Sequence, residues 1–580
     1  MKKLLIYLKD YKKECIIAPS FKMLEALFEL FVPLVMTSII DKGIKCSDKT
    51  VVIRNGGLLV LLAVIGLTCA LFAQYFAARA AVGFAKEVRR SLFNKITGLS
   101  NSVIDSVTTS TLITRMTADI NTVQNGVNMV LRLFMRSPFI VFGAMIMAFT
   151  INVSAALIFV VVIPLLFLAV FAITLVTIPM YKKIQGKLDI LTRHIRENLQ
   201  GVRVVRAFFA GHKEKEAFVA ENDSMYSLSL ITARISALLN PLTLIIVNVA
   251  LLILISRGGT LVDNGTLTNG QVIALVNYMS QILVELVKLA NLIITINKSL
   301  AGASRICDIL SLENDMQDTG TVDMESLHDS SVCVKFSNVS LVYPKAKQPA
   351  LEEISFDINE GETIGIIGGT GSGKTTLASL LLRFYDATSG QIKLFGTDIK
   401  DFSLSSLRKG ISIVSQKNQL FTGTLRSNLL LANPEASDER MLEALKNAVA
   451  DDVLAAKGGS LDFEISEGGA NLSGGQKQRI SIARALLAEA RILVLDDSSS
   501  ALDYVTDQKL RGNLKRLSSQ NKLTVFLIAQ RIASVKDADR ILVLDDGHMV
   551  GFDTHDNLLN SCPVYKEIYL SQQNSEEEAV

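Results

Sequence analysis

Residues 363–377 read Thr363-Ile364-Gly365-Ile366-Ile367-Gly368-Gly369-Thr370-Gly371-Ser372-Gly373-Lys374-Thr375-Thr376-Leu377. An apolar, strand-like run enters a glycine-rich turn, and a helix pattern follows. Strand, GxxxxGK[ST] and helix in that order make a phosphate-binding P-loop. Gly368, Gly369, Gly371 and Gly373, with Thr370 and Ser372 between them, let backbone N–H groups turn inward around phosphate oxygens. The N-terminus of the following helix adds positive potential. Lys374 is placed to reach β- and γ-phosphates, Thr375 Oγ to ligate Mg²⁺, and Thr376 continues the helix behind them. Well downstream, Arg491-Ile492-Leu493-Val494-Leu495-Asp496 is a buried apolar strand ending in a carboxylate. That is where a P-loop fold places the acid that holds Mg²⁺.

A third motif, Leu472-Ser473-Gly474-Gly475-Gln476, stands just before a helix pattern at 480–487. With these three motifs the chain resembles the ATP-binding cassette (ABC) proteins, whose signature is LSGGQ. Other elements follow in family order: Tyr343 ahead of the P-loop, Gln416 in Ile413-Val414-Ser415-Gln416, and Ser500-Ala501-Leu502-Asp503. The resemblance covers nearly the whole chain, because six apolar spans precede the cassette, as in half-transporters of the ABC exporter type. It implies that Tyr343 stacks on adenine, and that Gln416 touches Mg²⁺ and senses the γ-phosphate. It places Asp503 among the cassette's nucleotide-site elements. Leu472, Ser473, Gly474, Gly475 and Gln476 would contact ATP held by an opposite subunit. ATP and Mg²⁺ are the implied cofactors, in a head-to-tail dimer whose sites each join one P-loop to the other chain's LSGGQ.

Two positions depart from the family pattern. The residue after the strand carboxylate is normally Glu, the base that orients attacking water; here it is Asp497. Its carboxylate falls on the order of an ångström short, and misplacement on that scale costs around a hundredfold in rate. In Ile528-Ala529-Gln530-Arg531 the family has His where this chain has Gln530. Gln can hydrogen-bond but carries no positive charge. Both changes degrade the same chemical step while the ATP-binding elements stay intact. The pattern resembles the degenerate subunit of a heterodimeric, multidrug-exporter-like pair. The partner expected is a second half-transporter carrying Glu and His, whose competent site is capped by this chain's LSGGQ.

Around the cassette, the chain of 580 residues is 49% hydrophobic and 20% charged, with a formal net charge of +3. Its mean hydropathy is +0.37. A near-neutral balance is no nucleic-acid footprint, and the six scattered cysteines without a CxxC pair form neither a disulfide framework nor a zinc site. The apolar excess lies in the first half. Six spans are read at about 15–40, 57–82, 127–151, 155–180, 238–257 and 271–296, each near the ~20 residues a bilayer crossing needs. The basic residues Lys2, Lys3, Lys9, Lys12 and Lys13, and those of the two long loops, place both termini on the cytoplasmic side. The start is too short in apolar residues for a signal peptide and reads as an amphipathic surface helix.

The expected architecture is an all-α six-helix transmembrane domain (1–298), a linker (299–330) and an α/β P-loop nucleotide-binding domain (331–580). Segments at 107–114 and 209–218 are candidates to dock on cassettes. Within the spans, Lys22, Glu25 and Glu29 share one helical face, and Glu285 and Lys288 another. Glu25, Glu29 and Glu285 either line a cavity that attracts amphipathic cations or pair with neighbouring cations. The function implied is ATP-driven export of hydrophobic or amphipathic compounds across a bacterial inner membrane. A lipid or peptide exporter, or an ATP-gated regulator or channel, would use the same architecture.

Overall fold

The computed structural model describes residues 4–327, 331–344 and 346–577. Lys2, Lys3 and part of the expected linker, 328–330, lie outside them. The chain divides into two compact units, residues 1–98 with 109–312, and residues 99–108 with 313–580.

The first unit holds six helices long and apolar enough to cross a membrane: Leu4–Ile44, Lys49–Thr97, Thr109–Ile151, Val153–Gln200, Gly211–Asp263 and Asn269–Leu310. At ~1.5 Å per residue the 49 residues of the second reach about 74 Å, against a hydrocarbon core of ~30 Å. Each long helix therefore runs well beyond the bilayer. Leu58, Val60, Leu61, Val64, Leu67 and Leu71 of the second helix are exposed, whereas Ala73, Ala77, Ala80 and Ala81 are buried. Small residues let helices approach closely where lipid supplies no hydrophobic drive. At Gly126 a Cβ would fall 2.0 Å from Ser299 Oγ, so the third and sixth helices pack there without a side chain between them. The expected surface helix at the N-terminus is a 3₁₀ segment, Leu4–Tyr11, running directly into the first spanning helix. The sixth helix continues to Leu310, so the first part of the expected linker is helical. Ala303, Ile306 and Ile309 are buried and carry an apolar stripe at helical spacing past residue 298.

The second unit is built on two main sheets. The strands are β1 (Val332–Leu341), β2 (Leu351–Asn359), β3 (Thr363–Gly368), β4 (Ser389–Leu394), β5 (Thr397–Asp398), β6 (Ile411–Val414), β7 (Gly423–Thr424), β8 (Glu464–Ile465), β9 (Ile492–Asp496), β10 (Thr524–Ile528), β11 (Arg540–Asp545) and β12 (His548–Asp553). One sheet has the order β2-β1-β4-β5, the other β12-β11-β3-β10-β9-β6. β11, β3, β10, β9 and β6 are parallel, and β12 is antiparallel at the edge. The parallel strands read as continuous apolar runs because both faces are covered. A stacked pair, Phe336 and Phe356 with centroids 4.6 Å apart, ties the smaller sheet into the core. A second apolar cluster gathers the helices between residues 425 and 487 against β9.

Residues 99–108 belong to this second unit. The short helix Asn101–Val107 is capped by Ser100, whose hydroxyl also binds Asp315. Tyr385 donates its phenol to Asp105 Oδ2 at 2.5 Å. Of the expected 107–114, only residues 107 and 108 fall in this unit. Thr108 at φ 72° ends the short helix, and Thr109 opens the third spanning helix. At the other expected docking segment the helix Val202–Ala207 ends and Gly211–Ala237 begins. Phe209 sits between them at φ 51° and is 94% exposed.

Candidate nucleotide site and membrane charge cluster

β3 ends at Gly368, and the helix Lys374–Leu381 starts directly after Gly373. Gly371 and Gly373 have φ of 88° and 97°, a region L side chains rarely adopt. A Cβ on Gly368 would meet Leu544 O at 2.1 Å, so β11 excludes any side chain there. Gly369 and Gly371 instead face open space. The loop is closed by β11 behind Gly368 and open at Gly369 and Gly371, which lets a phosphate chain approach the backbone. Lys374 Nζ donates to Gly368 O at 2.9 Å and Gly369 O at 2.6 Å, curled over the loop. Burial pulls its ammonium below the usual lysine range, and the nearby Asp497 and Asp496 oppose that shift.

Thr375 Oγ1 donates to Asp496 Oδ2 at 2.9 Å, joining the P-loop helix to the end of β9. Asp496 is buried, and burial raises its carboxyl above the usual aspartate range, with neighbouring Asp497 adding to the rise. A desolvated carboxylate beside a hydroxyl, both hard oxygen ligands, suits Mg²⁺. The residues present therefore fit a nucleoside triphosphate with that cation. Tyr343 donates to Thr376 Oγ1 at 3.1 Å and meets Tyr385 edge-on, centroids 5.0 Å apart. Its ring is thus fixed beside the P-loop helix.

Asp497 follows at φ 51°, with its N–H on Ile528 O at 2.9 Å. Gln416 Nε2 and Gln530 Nε2 both donate to its Oδ2, each at 3.3 Å. The three residues read separately from the sequence therefore meet on one carboxylate oxygen. Two further glutamines, unmarked in the sequence, support them. Gln478 Nε2 reaches Asp497 O at 3.4 Å. Gln572, on the helix Pro563–Glu577, donates to Gln530 O and accepts from Ile532 N, both at 2.8 Å. The amide brackets the turn that carries Gln530.

Ser473 caps the helix Gly474–Leu487 in a reciprocal box with Gln476. A Cβ on Gly475 would lie 2.9 Å from Ala501 O, so the signature turn packs on Ser500-Ala501-Leu502. Leu472 is buried beneath it. Asp503 in turn caps the helix Tyr504–Asn521, accepting from Thr506 N at 3.1 Å.

The comparisons identify this arrangement. Residues 351–500 match the ABC transporter family model, and residues 15–286 match that of the ABC transporter transmembrane region. An uncharacterized ABC transporter ATP-binding protein, Mb1304c of Mycobacterium bovis, is 32% identical over 98% of this chain and 97% of its own. The chain belongs to the ABC transporter family. This ABC chain is therefore a multi-pass membrane protein with an ABC-type ATPase domain, which couples ATP hydrolysis to translocation. It is also 30% identical, over 99% of both chains, to a putative multidrug export ATP-binding/permease protein, YgaD, of Bacillus subtilis. Its fold is similar to that of a bacterial Atm1-family ABC exporter with ATP bound, with a TM-score of 0.79 at 23% identity over 97% of this chain and 98% of that one.

In the membrane unit of this ABC chain the three acids Glu25, Glu29 and Glu285 converge on one cation. Arg136 Nη1 binds Glu285 Oε1 at 2.5 Å and Nη2 binds Glu29 Oε2 at 2.7 Å, while Nε lies 3.9 Å from Glu25 Oε1. Lys22 pairs with Glu25 at 2.6 Å and Lys288 with Glu285 at 2.8 Å. Ser137 Oγ donates to the other Glu285 oxygen at 2.8 Å. Each of the three acids thus lies beside a cation. Side-chain exposure is 7% at Arg136 and 4% at Glu285, but 41% at Glu29 and 42% at Lys288.

Proposed function

We propose that this chain is one half of a heterodimeric ABC exporter of amphipathic compounds in a cytoplasmic membrane, and that its own P-loop site holds ATP but hydrolyses it slowly. The observation that carries this reading is Asp497 with both glutamine amides on Oδ2. A general base must offer a lone pair to water. Here both glutamine amides hold one oxygen of a carboxylate that is a methylene shorter than Glu, and Gln530 cannot supply a cationic contact to the γ-phosphate.

The binding half of the site is intact. The P-loop N–H groups and Lys374 would hold the β- and γ-phosphates, Tyr343 the adenine. Thr375, Asp496 and Gln416 would hold Mg²⁺, which neutralises charge on the phosphates when bound. Leu472, Ser473, Gly474, Gly475 and Gln476 would close on ATP carried by the partner half-transporter, whose own acid is Glu. The name of the YgaD relative supports multidrug-like export for this chain. The basic residues of the long loops support cytoplasmic termini and cassette.

The test is ATP-driven accumulation of an amphipathic fluorescent dye in inverted membrane vesicles. Vesicles carrying this chain with its partner should accumulate dye, and Lys374→Ala in this chain should reduce accumulation severalfold. Dye uptake independent of ATP, or unchanged by loss of the partner, would overturn the proposal.

A further inference from the structure

A cavity of about 380 Å³ opens beside the Arg136 cluster. Its walls are Glu29, Val32 and Pro33 of the first spanning helix, Ile140 of the third, and one face of the sixth that includes Gln281, Glu285 and Lys288. The charges form an alternating chain, Lys288–Glu285–Arg136–Glu29, with the middle pair buried and each end half exposed. This chain leaves an ammonium at one end and a carboxylate at the other, both on the cavity wall, while Glu25 and Lys22 branch from Arg136. Glu29 uses Oε2 on Arg136, and Lys288 has three N–H donors with one on Glu285.

Charge balance narrows the ligand. Lys22, Arg136 and Lys288 offset Glu25, Glu29 and Glu285, so the cluster is neutral. A ligand of one sign would leave a net charge within the spanning segments, which is costly. A ligand carrying both signs would not.

We propose that this cavity is a subsite for a small amphipathic zwitterion. Its carboxylate lies at Lys288, its ammonium at Glu29, and its apolar frame against Val32, Pro33, Ile140 and Val284. The substrate class rests on the exporter reading above and replaces the simple amphipathic cation expected from the acids alone.

The experiment is equilibrium binding to the nucleotide-free full-length protein in nanodiscs, with three probes: the dipeptide Phe-Leu, its N-acetyl form and its C-terminal amide. Phe-Leu should bind at least tenfold tighter than either neutralised form. Lys288→Gln should bring Phe-Leu down to the level of the amide. Glu29→Gln should bring it down to the level of the N-acetyl form. ATP binding by each variant checks that it has folded. Equal binding of the three probes, tightest binding of the amide, no binding of any probe, or variants that keep the wild-type ranking would overturn the proposal. The readout needs neither ATP nor movement. Charge-ranked binding without ATP-driven transport would refute the exporter reading alone, and dye transport without the ranking would refute the subsite alone.

Discussion

Replacing Arg136 with Met removes the cation that three acids share while keeping most of the side-chain volume. Glu285 then keeps Ser137 and Lys288, but it is 4% exposed and loses its 2.5 Å partner. Removing one member of a buried pair costs about 3–5 kcal/mol, most of it from the charge left behind. Glu29 contributes less to that sum, because its carboxylate is half exposed. The double variant Arg136→Met with Glu285→Gln leaves no buried ion stranded, only the half-exposed Glu29 and Lys288. It should recover more than half of the loss, a coupling on the order of 2 kcal/mol. Lys288→Met, at a half-exposed position, should cost under about 1 kcal/mol. The chain contains no Trp, so the assay is thiol labelling during a denaturant titration. Cys69 is the one buried cysteine among the described residues of the membrane unit, and a background with the other cysteines replaced isolates its signal. A single-variant cost below ~1 kcal/mol, the scale of an ordinary interhelical hydrogen bond, would refute the reasoning. So would a double variant no more stable than the single.

Three further outcomes follow from the cassette. Burial raises the Asp496 carboxyl, so the free cassette is most stable while that group is protonated and loses stability as pH climbs from the ordinary aspartate range through the raised value; Asp496→Asn should flatten this loss in thermal scans and abolish stabilisation by Mg²⁺ added with ATP. Gln572→Ala removes two hydrogen bonds around Gln530, at about 1 kcal/mol each, and should lower the cassette's unfolding midpoint and quicken amide exchange at Ile532. Tyr385→Phe removes the donor to Asp105; labelling of a cysteine placed in the segment 101–107 should accelerate severalfold, and an unchanged rate would show that the contact does not hold the segment.

The parts of the site legible in the sequence are those whose chemistry is written in consecutive residues. The P-loop needs glycine at positive φ and where β11 leaves no room, and Gly368, Gly371 and Gly373 spell that requirement out. Asp496 could be found because a parallel strand buried on both faces is an unbroken apolar run, so its terminal acid stands out. The six spans were legible for the same reason of scale. The Arg136 hub was not. Glu29 and Glu285 are 107 and 149 residues from it along the chain, and only helix packing selects which charges meet. Gln572 and Gln478 carried no signal either, since a glutamine on an amphipathic helix reads as ordinary surface. The boundary at residues 108 and 109 carried no signal, because a single Thr at φ 72° separates the two helices there.

The most direct test of the slow-site claim is steady-state ATP hydrolysis by the purified full-length chain alone, as wild type and as Asp497→Glu with Gln530→His. Wild type should sit near background despite binding ATP. The double substitution should raise its rate by roughly tenfold or more, given the ~hundredfold scale of a misplaced base. Brisk hydrolysis by the unmodified chain alone, unaffected by the two substitutions, would contradict it.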